Sequence, residues 1–126
     1  MASVLIIGYD PDTVDFSDPG PPPGMNPEKL WAGTAESLKR IEDHGWEAAQ
    51  CLVPPDNTAI AQVEAALSKT AYDCIVIGGG IRMTEKSVPI FEKILDVIRR
   101  VAPAVPIAFN TAPDTSLEAA QRWITE

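Results

Sequence analysis

An uninterrupted apolar run, Cys74-Ile75-Val76-Ile77, stands between Asp73 and three consecutive glycines, Gly78 to Gly80. Four apolar residues without alternation leave no face for water. They read as a strand buried on both sides, the pattern of a parallel sheet covered by helices. The glycines allow a sharp turn and a close backbone approach to a neighbour or a ligand. In open α/β sheets, ligands bind beyond the carboxyl ends of the strands, where the strand order reverses. The stretch from Tyr72 to Arg82 thus points to a fold class and to the place where a site is expected.

The rest of the chain repeats the same alternation. Val4 to Ile7, ending at Gly8, reads as the first strand. Asn26-Pro27-Glu28 has the signs of a helix start: an N-cap, proline at the first helical position and an acid in the first turn. Leu30, Thr34, Leu38 and Ile41 keep helical spacing, and Gly45 after His44 is a left-handed cap, so the first helix is expected over Pro27 to His44. Trp46 to Val53 is the second strand, stopped by Pro54-Pro55. Asp56-Asn57-Thr58 offers caps for a second helix with Ile60, Val63 and Leu67 inward. Tyr72 to Ile77 is the third strand. A third helix, capped by Thr84 or Ser87, carries Ile90, Ile94, Val97, Ile98 and Val101 on one face and ends at Pro103. Val105 to Phe109 is a fourth strand, with Pro106 suiting an edge. Thr115-Ser116-Leu117-Glu118 matches a capping box, predicting a last helix to the end of the chain with Leu117, Ala120 and Ile124 inward.

Strands alternating with helices predict a parallel sheet between two helical layers, and right-handed crossovers leave few topologies. The simplest is a four-stranded order 2-1-3-4, a three-layer αβα sandwich of flavodoxin-like (Rossmann-like) topology. First and last helices would share one face, the second and third the other. At 126 residues the chain is expected to form one domain. The longest irregular segment, Tyr9 to Met25, holds five prolines and four aspartates. Its length favours a lid over the crevice or a docking segment.

Charge and composition exclude several functions. A net charge of −8 argues against nucleic acid or an anionic membrane as the main partner. No apolar run is long enough to span a bilayer, and the opening Met1 to Gly8 lacks a basic n-region, so a cytoplasmic protein is expected. Cys51, Cys74 and a single histidine make neither a disulfide framework nor a transition-metal site. The cysteines read as small core hydrophobes on strands separated by a third. His44 would lie at the opposite edge of the sheet from the crevice, at the negative end of its helix.

In the 2-1-3-4 order the reversal falls between strands 1 and 3. Their carboxyl ends carry Gly8-Tyr9-Asp10 and Gly78-Gly79-Gly80, followed by Arg82, while strand 4 ends at Asn110-Thr111. Arg82 offers a planar fork for carboxylate or phosphate, and the glycines offer backbone N–H groups. Asp10 is the candidate base or hydroxyl acceptor. Asn110 and Thr111 are candidate hydrogen-bonding partners of a ligand. Each also has a plain structural reading: a turn aspartate before Pro11, a solvated arginine, polar residues capping a loop. Asp12, Asp15 and Asp18 are spaced like the start of a calcium loop, but Pro19-Gly20 follows and no glutamate closes it. Trp31 lies on the crevice side of its helix, where it could cover a ligand.

Three family resemblances stop short. Gly78 to Met83 resembles a dinucleotide fingerprint, but its third glycine falls on Met83 and it follows the third strand rather than the first. The topology resembles flavodoxin, without that family's Ser/Thr-rich phosphate cradle after strand 1. It also resembles response-regulator receivers, which carry an aspartate where this chain has Gly78. The function expected is binding of a small polar or anionic metabolite between strands 1 and 3, with Asp10 available for its transformation and no cofactor or metal. The alternative is a non-catalytic protein-interaction or oligomerisation module using the segment 9–25. Two open sheet edges and three tryptophans predict a homodimer or larger assembly.

Overall fold

The computed structural model describes residues 1–14, 16 and 24–125. Four strands, β1 (Ser3–Tyr9), β2 (Glu47–Val53), β3 (Cys74–Ile77) and β4 (Ile107–Phe109), form one all-parallel sheet in the order β2-β1-β3-β4. Helix α1 (Pro27–Asp43) and the short α5 (Ser116–Gln121) pack on one face. Helices α2 (Thr58–Lys69) and α4 (Val88–Val101) pack on the other, and a four-residue helix α3 (Gly79–Arg82) follows β3. This is the three-layer, flavodoxin-like α/β fold. No described helix is long and apolar enough to cross a membrane.

The central strands account for the layering. Val4, Ile7 and all four residues of β3 are completely inaccessible, and Leu5 and Ile6 nearly so. Leu5, Ile7, Ile75 and Ile77 face α2 and α4, while Val4, Ile6, Cys74 and Val76 face α1 and α5. Each such side chain contributes about 1.5–3 kcal/mol relative to exposure, so a non-alternating run stabilises both layers at once. Cys51 faces the first cluster and Cys74 the second, on strands separated by β1. The two thiols lie on opposite sides of the sheet and are both free.

Local signals act as their chemistry dictates at several ends. Asn26 Oδ1 accepts the Lys29 N–H at 2.9 Å, and Gly45 takes φ +97° to end α1. His44 caps α1 at the amino edge of the sheet and meets Trp46 edge-on at 4.5 Å. The strand ends are shorter than predicted: β3 starts at Cys74 and β4 at Ile107, because Asp73 and Pro106 carry only the first bonds of each ladder. In α2 the fully buried positions are Ala59 and Val63, with Leu67 close behind and Ile60 only half-buried.

The capping box at Thr115 does not form. Thr115 has φ −105° and ψ 22°, and its Oγ1 accepts backwards from the N–H groups of Thr111 and Ala112, both at 3.0 Å. Glu118 is drawn away to Arg40, which it meets in a two-pronged pair at 2.5 and 2.7 Å. α5 itself ends at Gln121 instead of running to the terminus, with the N–H groups of Arg122 and Trp123 turning back to the Ala119 and Ala120 carbonyls.

That pair belongs to a seam joining α1 to the segment after β4. Ser37, almost fully buried, donates to the Pro113 carbonyl at 2.7 Å, and Arg40 also donates to the Asp114 carbonyl at 2.7 Å. Gly33 permits the approach: a Cβ there would sit 2.6 Å from Pro113 Cβ. Helix propensity alone would favour alanine by about 1 kcal/mol. The proline ring cannot rotate aside, and overpacking costs about 1–3 kcal/mol, so urea unfolding of Gly33→Ala should show a net loss of stability. Arg40 also holds the Glu118 carboxyl below its ordinary value of 4.5. The pair's contribution is present above that value and is lost as pH falls through the lowered one. Glu118→Gln should therefore flatten the acid limb of the stability–pH curve, with neutral-pH stability falling only modestly.

Candidate functional site

The carboxyl edge of the sheet collects every residue that the sequence nominated. β1 and β3 are adjacent there, with Gly78 N–H bonded to the Ile7 carbonyl at 2.8 Å. Gly78 lies close enough to β1 that an added Cβ would stand 3.4 Å from the Ile7 carbonyl oxygen. From this junction the chain departs to opposite sides: Tyr9 leads towards α1 and Gly79 into α3. Gly8 remains in the ladder opposite Leu52.

Asp10 prolongs the β1–β2 ladder, its N–H donating to the Val53 carbonyl at 2.8 Å. Its carboxylate caps a 3₁₀ turn, Pro11–Thr13, through Oδ1 accepting from Asp12 N–H at 2.9 Å. The backbone carbonyl of Asp10 accepts from the Thr13 N–H and hydroxyl. Oδ2 of Asp10 has no partner among the described residues. The turn is tied to α1 by Trp31, whose indole N–H donates to Asp12 Oδ1 at 2.9 Å. Trp31 is thus on the crevice side and remains 39% exposed. Asp15 and Asp18 lie outside the described residues, as does the stretch 17–23 of the long segment.

Tyr9 points across to the turn before α4. Its hydroxyl donates to Ser87 Oγ at 2.6 Å, and Thr84 Oγ1 reaches the same oxygen at 2.6 Å. Burial pushes the Tyr9 phenol above its usual value despite the opposing effect of that hydrogen bond. The ring lies against Gly80, where a Cβ would stand 3.4 Å from Tyr9 Cδ2.

The glycine run is a helical turn rather than an open loop. Gly78 is extended, Gly79 to Arg82 are helical, and Met83 N–H closes on the Gly79 carbonyl at 2.8 Å. The N–H groups of Gly79 and Gly80 have no acceptor among the described residues. Arg82 is not a solvated cation. Its Nε donates to the Ile77 carbonyl at 3.0 Å, and Nη2 bonds the Asn110 carbonyl and, at 3.3 Å, Asn110 Oδ1. The guanidinium also lies 5.0 Å above the Phe109 ring. Burial lowers its pKa from an ordinary value so high that it stays charged at neutral pH. Arg82 thereby bridges the ends of β3 and β4, and only Nη1 is without a partner among the described residues.

Asn110 is buried, with its amide N–H₂ donating to Ser116 Oγ at 3.2 Å. Thr111 is exposed and its hydroxyl lies 3.2 Å from that of Thr115. The bridging role of Arg82 and the hydroxyl cluster of Tyr9, Thr84 and Ser87 escaped sequence reasoning. Position alone could have suggested the first, since Arg82 and Asn110 each follow directly from neighbouring strands.

Two cavities lie at the amino edge instead. One, of about 330 Å³, is lined by Leu67, Lys69, Tyr72, Ile75, Val101 and Val105. The other, of about 370 Å³, lies between Met1, Asp73 and Trp123. Neither contains a nominated residue. Among the described residues, no cluster of three or more His, Cys, Asp or Glu side chains could hold a metal ion.

The thiols provide a check on burial within the sheet. Burial pushes Cys74 up to about 11 and raises Cys51 as well. Since the thiolate is the reactive form, a disulfide reagent at pH 8 should label Cys51 slowly and Cys74 only on unfolding. Rapid labelling of Cys74 in the native protein would contradict the packing described for β3.

No family model matches this chain, and no curated protein resembles it closely enough to count as a relative.

Proposed function

We propose that the carboxyl edge at the β1–β3 junction binds a small polar or anionic metabolite. One observation carries this reading: hydrogen-bonded central strands release Gly8-Tyr9-Asp10 and Gly78-Gly79-Gly80 side by side, towards opposite helical layers. That is the topological setting in which open α/β sheets bind ligands. The unclaimed N–H groups of Gly79 and Gly80 and the Nη1 of Arg82 are its donors. Asp10 Oδ2 is its acceptor and, where the ligand is transformed, its base. Asn110 holds Arg82 in place and Thr111 borders the ligand. In this reading the chain is a single cytoplasmic domain that works as a homo-oligomer.

A specific observation favours a second reading, a protein-interaction module. Met83, Val88 and Phe109, on the segments that leave β3 and β4 at this edge, are 66%, 44% and 41% exposed. An exposed apolar border of this kind suits a partner surface.

A thermal-shift screen over phosphates, carboxylates and nucleotides separates the two. A ligand present at 100 times its Kd stabilises the native state by about 2.7 kcal/mol, enough to raise the melting temperature by several degrees. One anion class should give such a shift, and Asp10→Asn should abolish it at an unchanged apo melting temperature. Arg82→Ala should abolish it too, with a stability loss of about 1–3 kcal/mol from the bonds it leaves unmade at Ile77 and Asn110. No shift from any class, or one that persists in both variants, would overturn metabolite binding at this edge.

A further inference from the structure

The two edges of the sheet are guarded very differently. β4 is only three residues long, is preceded by Pro106, and has its outward Phe109 carbonyl taken by Arg122 at 2.6 Å. Short edge strands, prolines and basic caps are the usual means of blocking further pairing. β2 is less guarded: Glu47 opens it and Pro54-Pro55 stop it, but nothing blocks the strand between them. It is seven residues long, keeps an unbroken register with β1 from Glu47 to Val53, and carries no proline, glycine or charge between Ala48 and Val53.

The direction of its backbone groups follows from the ladder. Glu47 N–H bonds the Ala2 carbonyl and the Val53 carbonyl accepts from Asp10 N–H, so residues 47, 49, 51 and 53 turn inward. By the alternation of a strand, Ala48, Gln50 and Leu52 present their N–H and C=O groups outward. Among the described residues, these six groups have no partner.

We propose that β2 pairs with β2 of a second copy, antiparallel across a two-fold axis at Gln50, joining two four-stranded sheets into one. The inference rests on the homo-oligomer proposed above and names its surface. Gln50 would exchange both backbone bonds with Gln50 of the second copy, and Ala48 with Leu52, about six bonds in all. The pairing is self-complementary in side chains as well. Ala48 falls opposite Leu52 and Ala49 opposite Cys51, small against larger throughout. Glu47 falls opposite Val53, so a chain with net charge −8 brings no like charges face to face along the strand. This match of one strand with its own reverse argues for a second copy over a foreign strand. An isologous contact of this kind also closes at two subunits and leaves only the guarded β4 edges exposed.

Light scattering should give twice the 13.6 kDa of one chain at micromolar concentration. Amide hydrogen exchange on the same sample reads the surface directly. The outward amides of Ala48, Gln50 and Leu52 should be protected to the same degree as those of Ala49, Cys51 and Val53. Gln50→Lys sets two like charges together on the axis and leaves the β1 ladder in place, but it also gives up the bond from Gln50 Nε2 to the Thr34 carbonyl on α1 at 2.9 Å. Gln50→Met, which loses that bond without adding charge, is the control and should leave the dimer intact. Gln50→Lys should weaken the dimer by about ten-fold or more, with far-UV circular dichroism unchanged. Mixing Gln50→Lys with Gln50→Glu should restore a dimer. A monomer for the native protein would overturn the assembly itself. A dimer whose outward β2 amides exchange freely, or one that Gln50→Lys leaves intact, would overturn edge pairing alone.

Discussion

Everything in this structure depends on β1 being paired on both sides while covered on both faces. Its even residues bond β2 and its odd residues bond β3, as the bonds from Glu47 and Asp73 to the Ala2 and Ser3 carbonyls show. Such a strand has no edge and no solvent face, so only a continuous apolar sequence can occupy it. Its neighbour β3 meets the same requirement, with all four residues buried. With these two strands central and parallel, crossover helices must lie on both faces, and the carboxyl ends must converge at one junction. The close contact of Gly78 with the Ile7 carbonyl marks that junction.

Around it, polar side chains tie the neighbouring elements together. Arg82 joins β3 to β4 through carbonyls that would otherwise end their ladders unpaired, and Asn110 links this bridge onward to Ser116 and α5. Tyr9 similarly ties β1 to the turn before α4 through Ser87. These bonds fix the edge from three sides, and in the proposed reading that lowers the entropy lost when a ligand is held. The proposed ligand would meet the atoms these contacts leave over: two glycine amides, one guanidinium nitrogen and one carboxylate oxygen. Because Arg82 is anchored twice before any ligand arrives, it would act as a fixed positive pole rather than a flexible arm.

The layers, the strand order and several helix ends were legible because their causes are local. Asn26 and Pro27 start α1, and Gly45 ends it, through bonds that span a turn or less. The buried runs at β1 and β3 announce themselves by their missing alternation. The contacts that escaped are those between residues far apart in the chain. Ser37 reads as a polar residue on a helix, and only its bond to Pro113, 76 positions later, explains its burial. Gly33 looks like a weak point in α1 until Pro113 is brought against it. Thr115 and Glu118 match a capping box, yet Arg40 and the amides of Thr111 and Ala112 bind the same atoms in other ways. At the candidate site, sequence could place Arg82 and Asn110 at one edge, but not anticipate that they bond each other.

In the proposed reading a ligand is held at the β1–β3 junction, not in the amino-edge cavities. Amide chemical-shift mapping during titration with inorganic phosphate and with a small dicarboxylate tests it most directly. One of them should shift the amides of Gly79, Gly80 and Asp10 together, in saturable fashion. Saturable shifts centred on Lys69 to Tyr72 instead, with Gly79 and Gly80 unmoved, would contradict it.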